Sequence, residues 1–370
     1  MKYRNCKIFI FIFILFIGCT INPDGFIIQG EVSGFKDSTV LYLYNPKIQE
    51  SIDSSLIIEG KFKFEGKLEE PQRLFVTNKY VNEEEYKYTS FFVENSLIKV
   101  KGEYNNFRYC NVTGSKSQEI EKKLVKEIKE NNIIRDSLIR YINKNRTSIT
   151  DDEKNVLWWK INKTDSLNDI QYLKFIDENL NSYPALEKLQ WRMSEISKDS
   201  VRMYFDRLTP KFKEASTGEL INTYLNSRVI KIGGPYIDFE AITLNGEKFK
   251  LSDVKKDFIL LDFWSSGCGP CRTANKELAK RYDEIEKNLE IVSFSLDVKK
   301  ERIENASIED GIKWTNVTDF KGNNSGIAVQ YEISVIPCSY LIDKKRNVIK
   351  KYIGYNPNYI DEIKNIVLAK

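Results

Sequence analysis

The chain has 370 residues, enough for two or three domains with cores of their own, and its 57 basic and 53 acidic residues nearly balance at a net charge of +4. The lysines are scattered, which argues against a nucleic-acid surface. Histidine is absent, which excludes Ser-His-Asp and Cys-His catalytic arrangements and every zinc site that needs imidazole.

At the N-terminus, Lys2, Arg4 and Lys7 precede ten apolar residues from Ile8 to Ile17, followed by Gly18-Cys19. That run is well short of the roughly 20 residues that span a bilayer, so residues 1–19 read as a secretion signal. The Phe-Ile-Gly-Cys ending resembles a bacterial lipobox, which implies lipidation at Cys19, although Phe16 and Ile17 are bulkier than usual. A simple secreted protein or an uncleaved anchor is the alternative. On either reading the folded part lies outside the cytoplasm, where disulfides persist. With Cys6 lost and Cys19 lipidated, the thiols left are Cys110, Cys268, Cys271 and Cys338. They imply no disulfide scaffold, and zinc on the Cys-x-x-Cys pair would need two further ligands that the chain does not offer.

Residues 26–114 alternate apolar and polar side chains in short runs such as Val40-Leu41-Tyr42-Leu43-Tyr44 and Lys61-Phe62-Lys63-Phe64, punctuated by Gly60, Gly66, Pro71 and Gly102. This pattern predicts an antiparallel β-sandwich. Cys110 reads there as a core residue. Over residues 115–228 the period changes to about 3.6, with Ile120, Leu124 and Ile128 on one face, continued by Ile134, Leu138 and Tyr141. Capping-box patterns at Ser115/Gln118, Thr150/Glu153 and Ser216/Glu219 divide this helical region. Trp158, Trp159 and Trp191 read as helix-packing anchors.

Residues 231–370 begin on a flexible Gly233-Gly234-Pro235 stretch and carry a hairpin signal at Asn245-Gly246. Phe258 to Trp264 and Ile291 to Leu296 read as central strands. Ala274, Leu278, Tyr282, Ile285 and Leu289 follow helical spacing between them. A short helix over 326–331, strands at 340–342 and 348–353, and a closing amphipathic helix with Ile360, Ile363 and Val367 complete an α/β pattern.

The apolar run Phe258 to Phe263 leads directly into Trp264-Ser265-Ser266-Gly267-Cys268-Gly269-Pro270-Cys271, placing two thiols where a strand gives way to a helix. A helix N-terminus offers unpaired N–H groups and a positive dipole end, both of which stabilise a thiolate. Cys268 is the expected nucleophile. Cys271, one turn on, is expected to lie buried behind it and to close the intramolecular disulfide that releases a captured partner. Pro270 suits a first helical turn. A dipole contribution of roughly 0.3 to 1 kcal/mol, up to about 2, shifts a pKa by roughly 0.2 to 1.5 units. Lowering a thiol from about 8.5 to about 7 uses the top of that range.

Together with Val335-Ile336-Pro337-Cys338-Ser339-Tyr340-Leu341-Ile342-Asp343, these motifs make residues 231–370 resemble the thioredoxin superfamily, and more narrowly the membrane-tethered TlpA/ResA-like thiol-disulfide oxidoreductases. The resemblance implies a cis-proline at Pro337, whose backbone pairs with a bound partner, and a proton-relaying buried carboxylate at Asp262. It implies partner contacts at Trp264, Gly269, Pro270, Ile336 and Cys338, and no cofactor or metal. The segment 26–114 is similar to the β-sandwich that precedes TlpA-like domains in Bacteroidetes lipoproteins. Three positions depart from the pattern. Gly267 replaces a tryptophan, Ala274 stands where a glutamate is frequent, and Cys338 replaces a threonine or small residue.

The functional expectation is a membrane-anchored enzyme of the cell envelope that exchanges electrons with cysteine-containing extracytoplasmic proteins and is recharged by a membrane or periplasmic electron donor. The Gly-Pro dipeptide resembles that of reducing thioredoxins, so reduction of partners is the expected direction. Cys338 is either a packed side chain close to Cys268 or a third redox thiol able to trap it. The alternatives are a thiol peroxidase, for which Ser265 fits but Leu261 stands where a proline is needed, and a non-enzymatic binding lipoprotein.

Overall fold

A computed structural model describes residues 24–82, 84–145 and 148–368. The signal segment and Cys19 therefore lie outside the described residues.

Eight strands form the N-terminal part: β1 (Phe26–Ser33), β2 (Val40–Asn45), β3 (Glu50–Leu56), β4 (Lys61–Gly66), β5 (Gln72–Asn78), β6 (Tyr88–Val93), β7 (Leu97–Glu103) and β8 (Asn111–Thr113). They make two four-stranded sheets, ordered β4-β1-β7-β8 and β3-β2-β5-β6. Period-two burial along β1 and β4 sends Ile28 and Phe64 inward to meet Leu41, Leu43, Val76 and Phe91. One pairing differs from the antiparallel expectation: β1 runs parallel to β7, with Ile28 opposite Ile98. Cys110 is half-buried at the edge of this core, and burial pushes its thiol up to about 11.

The helical part comprises α1 (Lys116–Lys144), α2 (Asp151–Glu178), α3 (Tyr183–Arg192), α4 (Lys198–Asp206), α5 (Pro210–Lys213) and α6 (Ser216–Asn226). Thr150 and Glu153 form the full reciprocal capping box of α2. Ser115 caps α1 through the Gln118 N–H, but the Gln118 side chain instead accepts from the Phe92 N–H of β6 at 2.9 Å. Ser216 is not a cap: Ala215 holds that position, and the Ser216 hydroxyl bonds Glu70 of the sandwich. The tryptophans are not packing anchors either. Trp158 and Trp159 of α2 stay exposed, Trp159 at 62%, as do Ile134 and Tyr141 of α1, because α1 and α2 mainly pack on each other over this stretch. Trp191 of α3 is exposed too, with the Lys188 and Arg73 cations over its ring.

The C-terminal part builds one seven-stranded sheet, ordered β10-β9-β13-β12-β11-β14-β15. Its strands are β9 (Glu240–Thr243), β10 (Lys248–Lys250), β11 (Phe258–Trp264), β12 (Leu289–Ser295), β13 (Thr315–Thr318), β14 (Cys338–Ile342) and β15 (Val348–Ile353). The helices are α7 (Gly269–Arg281), α8 (Lys300–Asp310), α9 (Gly326–Gln330) and α10 (Tyr359–Leu368). Leu260 packs with α7 and α10 on one face of the sheet, whereas Leu261 and Phe263 pack with α9 on the other. α7 ends at Arg281, well short of Leu289, which opens β12 instead. The stretch at Gly233-Gly234-Pro235 is tied down rather than free: Gly233 N–H donates to the Val348 carbonyl at 2.7 Å, and Tyr236 N–H to that of Arg346 at 3.1 Å. β13 and α8 carry too little apolar periodicity to have been anticipated.

Candidate redox site

β11 is the central strand that delivers the site. Parallel to β12 and antiparallel to β14, it ends at Trp264, and a four-residue turn brings the chain to Cys268. Cys268 is the N-cap of α7, with extended backbone angles. Its sulfur lies 3.2 Å from the Cys271 N–H, one of the donors that a helix start leaves unpaired. Cys268 and Cys271 are joined as a disulfide. Cys268 is half-buried and Cys271 only 1% exposed, so one sulfur of the pair faces the surface and the other faces the core.

The Ile336-Pro337 peptide is cis, and the Ile336 carbonyl oxygen lies 3.8 Å from the Cys268 sulfur. The Pro337 carbonyl accepts from Gly354 N–H at 2.8 Å, which fixes the loop to the end of β15. Gly267, Gly269 and Pro270 are solvent-facing, and a Cβ at Gly267 or Gly269 would meet nothing within 4 Å.

Asp262 is 4% exposed and projects from the same face of β11 as Leu260 and Trp264. Burial pushes its carboxyl up to about 6, and the Ser339 hydroxyl, donating at 2.7 Å, opposes that rise. Ser339 was not anticipated. It reaches Asp262 only because β14 pairs antiparallel with β11 in the register that sets residue 262 opposite 339.

Strand alternation corrects two expectations. Cys338 points to the sheet face opposite Ser339, is buried with Phe263, Tyr331 and Tyr340, and is bonded through its strand to neighbours on both sides. It shares no cluster with Cys268 or Cys271, so it offers a partner no surface, and burial pushes its thiol up to about 11. Trp264 is also unable to meet a partner. It is 0% exposed, donates through Nε1 to Asn316 at 3.2 Å, and packs beneath the disulfide with Cys271, Ile303 and Ala306.

Two further residues shape the turn. Buried Asp297 accepts from Ser266 N–H and Ser266 Oγ, both at 2.7 Å. Arg272, directly after Cys271, bonds Asp310 and Glu309 of α8 and the Ser266 carbonyl. Neither residue belongs to a motif. Among the described residues no cluster of acidic, cysteine or histidine side chains could hold a metal, and no helix is long and apolar enough to cross a membrane.

A cysteine pair with one member outward and one inward at a helix start, beside a cis-proline loop on a thioredoxin-like sheet, defines a dithiol–disulfide redox protein. Residues 26–120 match the domain of unknown function DUF4369, and residues 232–356 match the AhpC/TSA family. A solved thiol-disulfide oxidoreductase from Bacteroides fragilis is 30% identical with a TM-score of 0.33, the match covering 35% of this chain and 97% of that one. The chain is 30% identical over 139 residues to the thioredoxin-like protein YneN of Bacillus subtilis, covering 36% of this chain and 79% of that protein. It is 29% identical over 132 residues to the thiol-disulfide oxidoreductase ResA of Bacillus anthracis, covering 35% of this chain and 75% of that protein. On the match to YneN the chain belongs to the thioredoxin-like proteins, its C-terminal part being a ResA-like thiol-disulfide oxidoreductase domain.

Proposed function

We propose that this oxidoreductase reduces disulfides of cysteine-containing extracytoplasmic proteins while held at the cell envelope by a lipid on Cys19. The observation that carries the reading is the unequal exposure of the paired sulfurs, with Cys268 at the surface on the α7 N-terminus and Cys271 behind it. In the reduced protein the Cys268 thiolate attacks one sulfur of a partner disulfide, forming a mixed disulfide and expelling the other partner sulfur as a thiolate. Cys271 then gives its proton to the carboxylate of Asp262, directly or through water, and attacks Cys268. The mixed disulfide breaks, the second partner thiolate leaves, and the Cys268–Cys271 bond forms. Two electrons pass to the partner, and an envelope dithiol donor restores the reduced pair.

Pro337 and the Ile336 carbonyl are the backbone against which an extended partner segment lies, with Gly269 and Pro270 on the other side of Cys268. The open space at Gly267 leaves this edge without an aromatic cover. Insulin or glutathione-disulfide reduction is expected from the wild type and lost in Cys268→Ser, whereas Cys271→Ser is expected to accumulate mixed disulfides with partners. Unchanged activity in Cys268→Ser contradicts the reading. The lipid is tested separately, since Cys19→Ala is expected to move the protein from the membrane to the soluble fraction.

A further inference from the structure

The N-terminal sandwich has no part in the chemistry described above, yet the tip of its β2–β3 hairpin touches the backbone that supports the active-site turn. Gln49 ends this hairpin turn with φ at +51°, a left-handed conformation that non-glycine residues hold only when their surroundings fix it. Its side-chain Nε2 donates to the Leu296 carbonyl at 2.9 Å, and its Oε1 accepts from the Val298 N–H at 3.4 Å. One amide thus grips the chain on both sides of Asp297. The Asp297 carboxylate in turn holds Ser266 by two bonds of 2.7 Å and accepts from Ser295 Oγ at 2.8 Å, and Ser266 stands two residues before Cys268.

Gly322 completes the clamp from the redox side. A Cβ at this position would lie 3.2 Å from Gln49 Nε2 and 3.0 Å from a Val298 methyl group, so a side chain there would push into the amide. Beside the clamp, Glu50 pairs with Lys299 at the surface.

We infer that Gln49 is a positioning residue for the thiol-disulfide reaction, through which the N-terminal domain holds the Asp297–Ser266 support of the Cys268 turn. The contact matters more to the reduced protein than to the oxidised one. In the oxidised form the Cys268–Cys271 bond itself fixes the turn, whereas in the reduced form only non-covalent contacts keep Cys268 on the helix N-terminus. Loss of the clamp is therefore expected to favour the disulfide.

This inference rests on the proposed redox reaction of Cys268 and Cys271, and its test separates the two. The full chain is equilibrated with glutathione redox buffers and the fraction of Cys268–Cys271 disulfide is measured for wild type, Gln49→Ala, Gln49→Met and Glu50→Ala. A wild type that fails to equilibrate contradicts the redox reading itself. If it does equilibrate, Gln49→Ala is expected to shift the constant about tenfold towards the disulfide, equivalent to roughly 30 mV. Gln49→Met fills the same space without either hydrogen bond and is expected to shift the constant equally, while Glu50→Ala is expected to match the wild type. An unshifted Gln49→Ala, restoration by methionine, or an equal shift in Glu50→Ala each overturns the assignment.

Discussion

Asp262 carries a carboxylate into a place with little to solvate it: the apolar layer between β11 and α7, with the Ser339 hydroxyl as its hydrogen-bond donor. A carboxyl raised to about 6 in the folded chain, against about 3.9 when unfolded, destabilises the fold once ionised. The cost is absent below about pH 4, grows between pH 4 and 6, and above that amounts to roughly 3 kcal/mol. Asp262→Asn is expected to match the wild type near pH 4 and to exceed its stability by up to that amount at pH 8, as read from urea midpoints; a pH-independent difference contradicts this. The position of Asp262 was legible because it lies six residues before Cys268, on the strand that leads into the motif. Ser339 was not, since 77 residues separate it from its partner and only the register of two strands joins them. The expected proximity of Cys338 to Cys268 came from its place next to Pro337, but β14 turns that side chain to the far face of the sheet. Cys338→Ser is therefore expected to leave the disulfide map of the oxidised protein unchanged, as mass spectrometry of its peptides would show. A Cys268–Cys338 linkage in the wild type contradicts that.

α7 is the element on which the chemistry depends, and both its ends are instructive. Its start was legible from the strand-to-helix motif. Its end was not, because Ile285 and Leu289 keep helical spacing while the chain breaks at Arg281 and Leu289 turns to the sheet core. α7 is fastened to α8 by Arg272, which bonds buried Asp310 and exposed Glu309 and also holds the Ser266 carbonyl. Arg272→Ala leaves buried Asp310 with Lys276, at 3.6 Å, as the remaining paired cation among the described residues. Arg272 is 20% exposed, so the expected loss of about 2 to 3 kcal/mol falls below the roughly 3 to 5 of a fully buried pair. Denaturant unfolding would read this loss, and a change under about 0.5 kcal/mol contradicts it. α1 and α2 teach the complementary lesson. Their periodicity announced helices, but periodicity does not say what covers a stripe, and Tyr141, Trp158 and Trp159 remain at the surface.

Over the whole molecule, composition change and period gave the order of sandwich, helices and α/β part, because each has its own burial pattern. The joints between the parts were not legible, since they are built from isolated polar residues far apart in sequence. At the joint between sandwich and helices, Arg73 of β5 meets Glu121 of α1 and Glu187 of α3, with Lys188 beside them. Burial alone would raise the Glu121 carboxyl, but Arg73 and Lys188 outweigh it and hold Glu121 below the usual carboxylate range. Its contribution to stability is therefore complete above about pH 4.3 and is lost as the pH falls below that. Glu121→Ala leaves Glu187 as the one carboxylate paired with the two buried cations Arg73 and Lys188. It is therefore expected to cost about 2 to 3 kcal/mol at neutral pH, below the roughly 3 to 5 of a wholly unpaired buried charge, as read by denaturation. A change within about 0.5 kcal/mol contradicts that. Among the described residues Cys271 and Cys338 are buried, and of the two half-buried thiols Cys268 stands at a helix N-terminus whereas burial pushes Cys110 up to about 11. Limiting iodoacetamide on the fully reduced protein at neutral pH, followed by peptide mapping, tests this division of labour directly. The account predicts that Cys268 is alkylated well before the other three, and equal or faster labelling of Cys271 would contradict it.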